Sequence, residues 1–222
     1  MSREKIMTKT DEFEEDLNLL LSKLTPDMSE DAAKQLAQLR DHLVQLHKEN
    51  IVKINHSVME LVCAKQLVEK GYEVQIEHPL DGGITCDLYA TKGDGSLIVE
   101  IETGFVPPEH ALDPQNYIAA RIASKIIRYS YRSSKFALGM PPHYLLQFPA
   151  VFTRPPRTRK AEDVREIKAL CDLYYQNPPV TLEEIRNARL HVIYIIDVDE
   201  GATREVEPEA YARKVESCLT EA

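Results

Sequence analysis

Three carboxylates, those of Asp87, Glu100 and Glu102, are the side chains in this sequence best suited to chemistry. Alternating polar and apolar residues predict strands over 85–90 and 97–103, joined by a tight Lys-Gly-Asp-Gly turn. That turn places Asp87 opposite Glu100, and a loop shortened by one position on each side places it opposite Glu102. In either register the two-residue period of a strand brings the three carboxylates to one face. Because such like charges repel, the pattern predicts a divalent cation with oxygen ligands; the alternative is a solvated acidic face.

A fourth acid, Glu60, lies on the apolar face of a predicted helix. Residues 55–70 have helical apolar spacing, and Gly71 follows at the position that ends many helices. A carboxylate inside that apolar arc is unfavourable unless it is paired or near a cation. We therefore expect Glu60 to lie near the same cation, unless its carboxylate reaches water at the edge of the packed face. His56, one turn earlier, is either a neighbour of the site or a surface histidine.

The order of these elements resembles that of the PD-(D/E)xK nuclease superfamily, which has the restriction-endonuclease-like fold and includes archaeal Holliday-junction resolvases. In that superfamily an acid on the first helix is followed by an Asp on the second strand and by Glu-x-Lys on the third. The matching residues here are Glu60, Asp87 and Glu100-Ile101-Glu102. The resemblance covers about residues 55–138, and it implies metal-dependent hydrolysis of phosphodiester bonds.

Glu102 departs from the superfamily pattern, because it stands where most members have a lysine. The resemblance leaves two roles open for Glu102, a base or a further metal ligand. A helix predicted over 115–135 brings Arg121 and Lys125 into its first turns after the acidic strand. We predict that Lys125 or Arg121 supplies the missing catalytic cation.

The mechanism that follows uses a metal ion. Asp87, Glu100 and the backbone carbonyl of Ile101 are expected to hold Mg²⁺ or Mn²⁺, which would activate a water and stabilise charge on the phosphate. Glu102 would orient or deprotonate that water, and Glu60 would complete the outer shell of the metal or hold a second ion. The predicted function is a metal-dependent DNA endonuclease or exonuclease. The alternatives are a catalytically decayed module that binds nucleic acid or a protein partner, and a structural role in which the carboxylates are incidental.

Positive charge is concentrated in one window of an acidic chain. The net charge is −9, yet the residues between Asp113 and Glu162 include nine Lys or Arg and no Asp or Glu. The nine are Arg121, Lys125, Arg128, Arg132, Lys135, Arg154, Arg157, Arg159 and Lys160. The first five share one face of the helix predicted over 115–135, which forgoes every i,i+4 ion pair with an acid. We therefore predict that these residues contact the phosphates of DNA without reading bases, rather than forming an ordinary solvated face.

The predicted fold class is α/β, with a central mixed sheet of about five strands flanked by helices as in the restriction-endonuclease-like fold. A helical N-terminal extension over residues 1–50 precedes a nuclease-like domain over 51–222. The leucine stripes of the extension predict a packing or dimerisation seam, and we expect a homodimer through these helices. Beyond the site, strands are predicted over 143–152 and 190–198, and helices over 161–175, 182–188 and 208–219.

Composition places the chain among cytoplasmic enzymes. Of its 222 residues, 43% are hydrophobic, and no apolar run approaches the length that crosses a bilayer. The start of the sequence has no apolar segment typical of a signal peptide. The four cysteines are far apart without a Cys-x-x-Cys pair, which favours free thiols over a zinc site. The prediction is a cytoplasmic protein without a membrane partner.

Overall fold

The computed structural model describes residues 9–220. Within them the helices are α1 Lys9–Leu24, α2 Glu30–Lys48, α3 Ile54–Glu69, α4 Pro114–Tyr129, α5 Ala161–Asp172, α6 Leu182–Asn187 and α7 Pro208–Thr220. The strands are β1 Glu73–Leu80, β2 Ile84–Lys92, β3 Gly95–Ile101, β4 Lys135–Met140, β5 Val192–Asp197 and β6 Ala202–Val206. Among the described helices, none is both long and apolar enough to cross a membrane.

The six strands form one mixed sheet in sequence order, from β1 to β6. Strands β1, β2 and β3 are antiparallel, β3, β4 and β5 are parallel, and β6 returns antiparallel to β5. Helix α4 connects the parallel strands β3 and β4. The predicted α/β fold with a central mixed sheet is confirmed. Strands β4 and β6 were not predicted: β4 begins at the residue where a helix was predicted to end, and most residues of β6 are exposed without apolar alternation.

The two faces of the sheet carry different helices. Leu97, Val99 and Ile101 of β3 lie in one apolar cluster with residues of α1, α2 and α3. Ile98 lies in a second cluster with residues of α4, α5 and α7. The two-residue alternation predicted for β3 is therefore confirmed, and its second face, which also carries Glu100, is turned toward α4.

The leucines of the N-terminal helices pack against other elements of the same chain. Leu36 and Leu43 are fully buried, and they share a cluster with Leu61 of α3 and Val99 of β3. The packing role predicted for the leucine seam is therefore confirmed for these side chains. The homodimer stays a prediction.

Two predicted elements after the acidic hairpin are wrong. The helix predicted over 115–135 ends at Tyr129, because a serine-rich segment follows whose hydroxyls bind backbone groups; Ser133 Oγ, for example, donates to Lys135 O (2.6 Å). Lys135 is consequently the first residue of β4 and does not belong to a helical stripe. The strand predicted over 143–152 is irregular and ends in a short 3₁₀ helix, since prolines on either side and within it remove backbone donors.

Candidate metal centre

The hairpin of β2 and β3 brings Asp87 and Glu100 together. Thr91 pairs with Ser96 and Leu88 with Val99, so the first of the two predicted registers is confirmed, with Asp87 opposite Glu100. The backbone N–H of Ile101 donates to Asp87 Oδ2 (2.5 Å), and the backbone N–H of Asp87 donates to Glu100 Oε1 (3.2 Å). The two carboxylates are therefore fixed against the strand backbone. Whether the Ile101 carbonyl binds a metal stays a prediction.

The carboxylates of Glu100 and Glu102 are almost completely buried against α4. Each of the two residues is only 2% exposed, although a carboxylate normally lies at the surface. Lys125 Nζ lies 3.0 Å from Glu100 Oε2 and 2.7 Å from Glu102 Oε1. Arg121 forms an ion pair with the second oxygen of Glu102. Both oxygens of Glu102 are thus held by cations of α4, one helical turn apart.

These ion pairs control the protonation of the cluster. Burial alone would lower the pKa of Lys125, but Glu100 and Glu102 outweigh it and hold that pKa well above its usual value. For Asp87, burial would raise the pKa, and the charge of Lys125 together with a hydrogen bond from His56 lowers it instead. Burial and the charge of Asp87 raise the pKa of Glu100 to about 8. In the absence of a metal, Asp87 is therefore the more acidic member of the hairpin pair, and Glu100 takes up a proton first as the pH falls.

Glu60 lies on the other side of Asp87, and no backbone N–H or cationic side chain hydrogen-bonds to its carboxylate among the described residues. Glu60 is completely buried. His56 Nε2 is 3.8 Å from Glu60 Oε1, beyond hydrogen-bonding distance, and 3.2 Å from Asp87 Oδ2. One potential ligand atom from each of the three residues lies within 4.8 Å of the other two. Of the two alternatives for His56, the neighbour of the site is confirmed.

The protonation of these two side chains follows from their surroundings. Burial, then the charges of Asp87, Glu77 and Glu100, raises the pKa of Glu60 well above its usual value. Burial would lower the pKa of His56, but its hydrogen bond with Asp87 and the charge of that carboxylate raise it. A hydrogen bond with Glu77 acts in the same direction, so in the absence of a metal Glu60 can share a proton with the Glu77 carboxyl, and a bound cation would take the place of that proton. Glu60 thus lies beside Asp87, and the expectation that it lies near a cation stays a prediction.

Glu77 of β1 is a member of this cluster that the sequence did not indicate. Its φ of 50° is in the left-handed region, which is rare for a residue other than glycine, within an otherwise regular strand. Burial and the charge of Asp87 raise its pKa. In the sequence, Glu77 occupies an ordinary outward position of an alternating strand, so no pattern of residue types marks it.

Several of the side chains predicted to bind phosphates instead donate hydrogen bonds to backbone carbonyls of the protein. The guanidinium of Arg159 is buried and donates to the carbonyls of Ile185 (2.9 Å), Arg186 (2.8 Å) and Arg154 (2.9 Å). The prediction that Arg159 contacts phosphate is therefore wrong, because its donors connect residues 153–160, which form the basic loop, to α6. Burial, and then the charge of Arg189, lowers the pKa of Arg159 to about 10.

The other cations divide into bound and exposed groups. Arg128 donates to Pro178 O (2.8 Å) and Arg132 to Asp81 O, so both connect the end of α4 to loops. The side chains that remain exposed are those of Lys135, Arg154, Arg157 and Lys160. The basic window is therefore partly structural, and DNA binding by its exposed members stays a prediction.

Comparisons of the chain with protein-family models, with curated proteins and with solved structures found no match. The resemblance to PD-(D/E)xK nucleases therefore rests on the residues of this chain and stays a prediction.

Proposed function

We propose that this protein hydrolyses phosphodiester bonds in DNA with a divalent cation, Mg²⁺ or Mn²⁺, held at the candidate metal centre. The observation that carries this proposal is the cluster of Glu60, Asp87 and His56, whose potential ligand atoms lie within 4.8 Å of one another around a completely buried carboxylate. Carboxylate oxygens suit Mg²⁺ and Mn²⁺, and an imidazole nitrogen suits Mn²⁺ in particular. The residues present therefore fit such a cation.

Asp87 is the ligand shared by both halves of the site, since it contacts His56 on one side and approaches Glu100 on the other. Asp87, with Glu60 and His56 of α3, would hold the cation, and Glu100 of β3 would be a further ligand. The cation would supply Lewis-acid activation of water and neutralise charge on the phosphate. Because burial and the charge of Asp87 raise the pKa of Glu100 to about 8, its ligation would be favoured as the pH rises.

Lys125 is the residue that replaces the lysine missing at position 102. Its ammonium group lies between Glu100 and Glu102 on the sheet face that α4 covers, and a quarter of the side chain is exposed. A cation there can stabilise the negative charge that develops on the phosphate during hydrolysis. Glu102 then acts by positioning Lys125 and Arg121. Its two oxygens are already paired with these cations, which disfavours its alternative role as a base.

The same pairing favours a second candidate function, a module that binds DNA without cutting it. In this alternative, Arg121 and Lys125 only neutralise the charge of Glu102, and no cation is left to take part in cleavage. The exposed basic loop would still bind the phosphates of DNA. DNA binding that weakens with salt but produces no cleavage with Mg²⁺ or Mn²⁺ would support this alternative.

Substitution of Asp87 tests the leading proposal. Asp87→Asn keeps the side-chain shape and removes the shared ligand, so Mn²⁺-dependent cleavage of DNA should fall at least a hundredfold, the scale on which such groups act. Mn²⁺ binding, measured by calorimetry, should weaken in parallel. Asp94→Asn is the matched control, because Asp94 is an exposed carboxylate in the turn of the same hairpin. Cleavage that survives both EDTA and Asp87→Asn would refute the proposal.

A further inference from the structure

The segment between β3 and α4 exposes apolar side chains beside the buried carboxylates. Phe105 is 65% exposed and Leu112 is fully exposed. Phe105 follows Glu102 by only three residues, and the guanidinium of Arg121 that pairs with Glu102 also donates to Phe105 O (2.6 Å). The backbone of Phe105 is thus held by the same guanidinium group that pairs with Glu102.

This segment is held in place at both ends. Gly104 has a φ of +79°, and a Cβ added there would lie 2.7 Å from the ring of Tyr144, so the backbone packs directly on that ring. Toward the other end, the ring of His110 stacks on Tyr117 of α4 with centroids 4.0 Å apart. Because the backbone is fixed on either side of it, Phe105 is presented at a defined position.

A cleft of about 780 Å³ lies between Phe105 and the metal centre. Its lining includes His56, Met59, Phe105, Pro141, Pro142 and His143. His56 connects the cleft to the carboxylates through its contact with Asp87 Oδ2 (3.2 Å). The volume is in the usual range for sites that bind small organic molecules, about 300–1,000 Å³.

We propose that this cleft seats an unpaired nucleobase of single-stranded DNA, stacked on Phe105, while the adjoining phosphate faces the metal centre. The inference rests on the proposed function in taking DNA as the source of the base. Bases in a duplex are stacked between their neighbours and cannot enter a cleft, whereas an unpaired base presents its face to an aromatic ring whatever its sequence. The charged residues of the lining are Lys53, Asp197 and Asp199, so the net negative charge suits an uncharged base inside the cleft and keeps the phosphate outside it.

Binding to two labelled DNAs separates this inference from simple phosphate contact. The probes are a fluorescein-labelled single strand and a blunt-ended duplex of the same sequence, followed by anisotropy in EDTA so that neither is cut. Phe105→Ala should weaken single-strand binding about 5- to 100-fold, the loss expected for one stacked base, and change duplex binding by less than about twofold. Phe105→Trp should restore single-strand binding. Leu112→Ala is the matched control, because Leu112 is an exposed apolar residue of the same segment outside the cleft.

Equal losses on both DNAs, or no loss on either, would overturn the inference. Cleavage of the same probes in Mn²⁺ tests the proposed function separately. A wild-type protein that cuts DNA, and whose activity and binding are unchanged in Phe105→Ala, would overturn the base-binding cleft and leave the nuclease proposal standing. A wild-type protein that never cuts, but needs Phe105 to bind the single strand, would overturn the nuclease proposal and support the cleft.

Discussion

Replacing Lys125 by methionine tests how strongly the buried acids depend on one cation. Methionine keeps the length of the side chain but removes the ammonium group that lies 3.0 Å from Glu100 and 2.7 Å from Glu102. Breaking a buried ion pair by removing one partner costs about 3–5 kcal/mol. We expect the lower end of that range near pH 7, because Glu100, with its pKa of about 8, can remain protonated once Lys125 is gone.

The expected loss is measurable as a melting temperature. For a chain of this size, 1 kcal/mol changes the melting temperature by about 2–4 °C, so Lys125→Met should lower it by roughly 6–12 °C in EDTA. Lys135→Met is the matched control, because Lys135 is exposed and has no ion-pair partner among the described residues. A surface change of that kind stays within about 0.5 kcal/mol.

Added metal gives the second half of the test. A cation that binds only the folded protein stabilises it by about 2.7 kcal/mol at a concentration of one hundred times its Kd. Because the ammonium group of Lys125 repels a cation bound at Asp87, Lys125→Met should gain more from Mn²⁺ than the wild type gains, while cleavage is lost. Equal melting temperatures for Lys125→Met and Lys135→Met would refute the reasoning that Lys125 neutralises the acids.

Three further predictions concern other parts of the chain. Changing both Arg157 and Lys160 to alanine should flatten the slope of log K against log salt for duplex DNA by about 1.8, and an unchanged slope would exclude them as phosphate contacts. Burial, then the charges of Arg189 and Lys135, lowers the pKa of His191 below 6.5, so its neutral form stabilises the protein at pH 7. That contribution is lost as the pH falls below 6.5 toward the lower pKa of the folded state, by up to about 1.4 kcal/mol per pH unit, and urea titrations of His191→Asn should lack it. Glu77→Gly should be about 1 kcal/mol more stable than Glu77→Ala, because glycine tolerates the φ of 50°.

The acidic hairpin could be predicted from the sequence because its information is local. Strand alternation and a four-residue turn set the pairing of Thr91 with Ser96, and that pairing determines which residue lies opposite Asp87. The buried position of Glu60 could be predicted for the same reason, since helical spacing alone places it inside an apolar arc. In both cases the position of the carboxylate follows from a local period, two residues in a strand and 3.6 residues in a helix.

The roles of the cations could not be predicted, because they depend on how distant elements pack. A helical projection gives Arg121 and Arg128 the same face of α4, but the sheet beneath the helix brings only the first to a buried carboxylate. The Arg159 side chain is buried because three carbonyls at the junction with α6 accept its donors, a requirement that exists only in the folded chain. The left-handed backbone conformation of Glu77 likewise could not be predicted, because glutamate has no local preference for it.

The two sides of the candidate metal centre differ in the charges that surround their carboxylates. Around Glu100 and Glu102 the chain supplies its own cations, Lys125 and Arg121, within ion-pairing distance. Around Glu60 the described part of the chain places the acids Asp87 and Glu77 and the histidine His56, and no ion pair with a lysine or arginine reaches its carboxylate. The proposed divalent cation would therefore lie on the α3 side of Asp87, and the ligand set predicted from the sequence would extend toward Glu60. A phosphate held between that cation and Lys125 would be neutralised from both sides, which is the arrangement that hydrolysis of a phosphodiester requires.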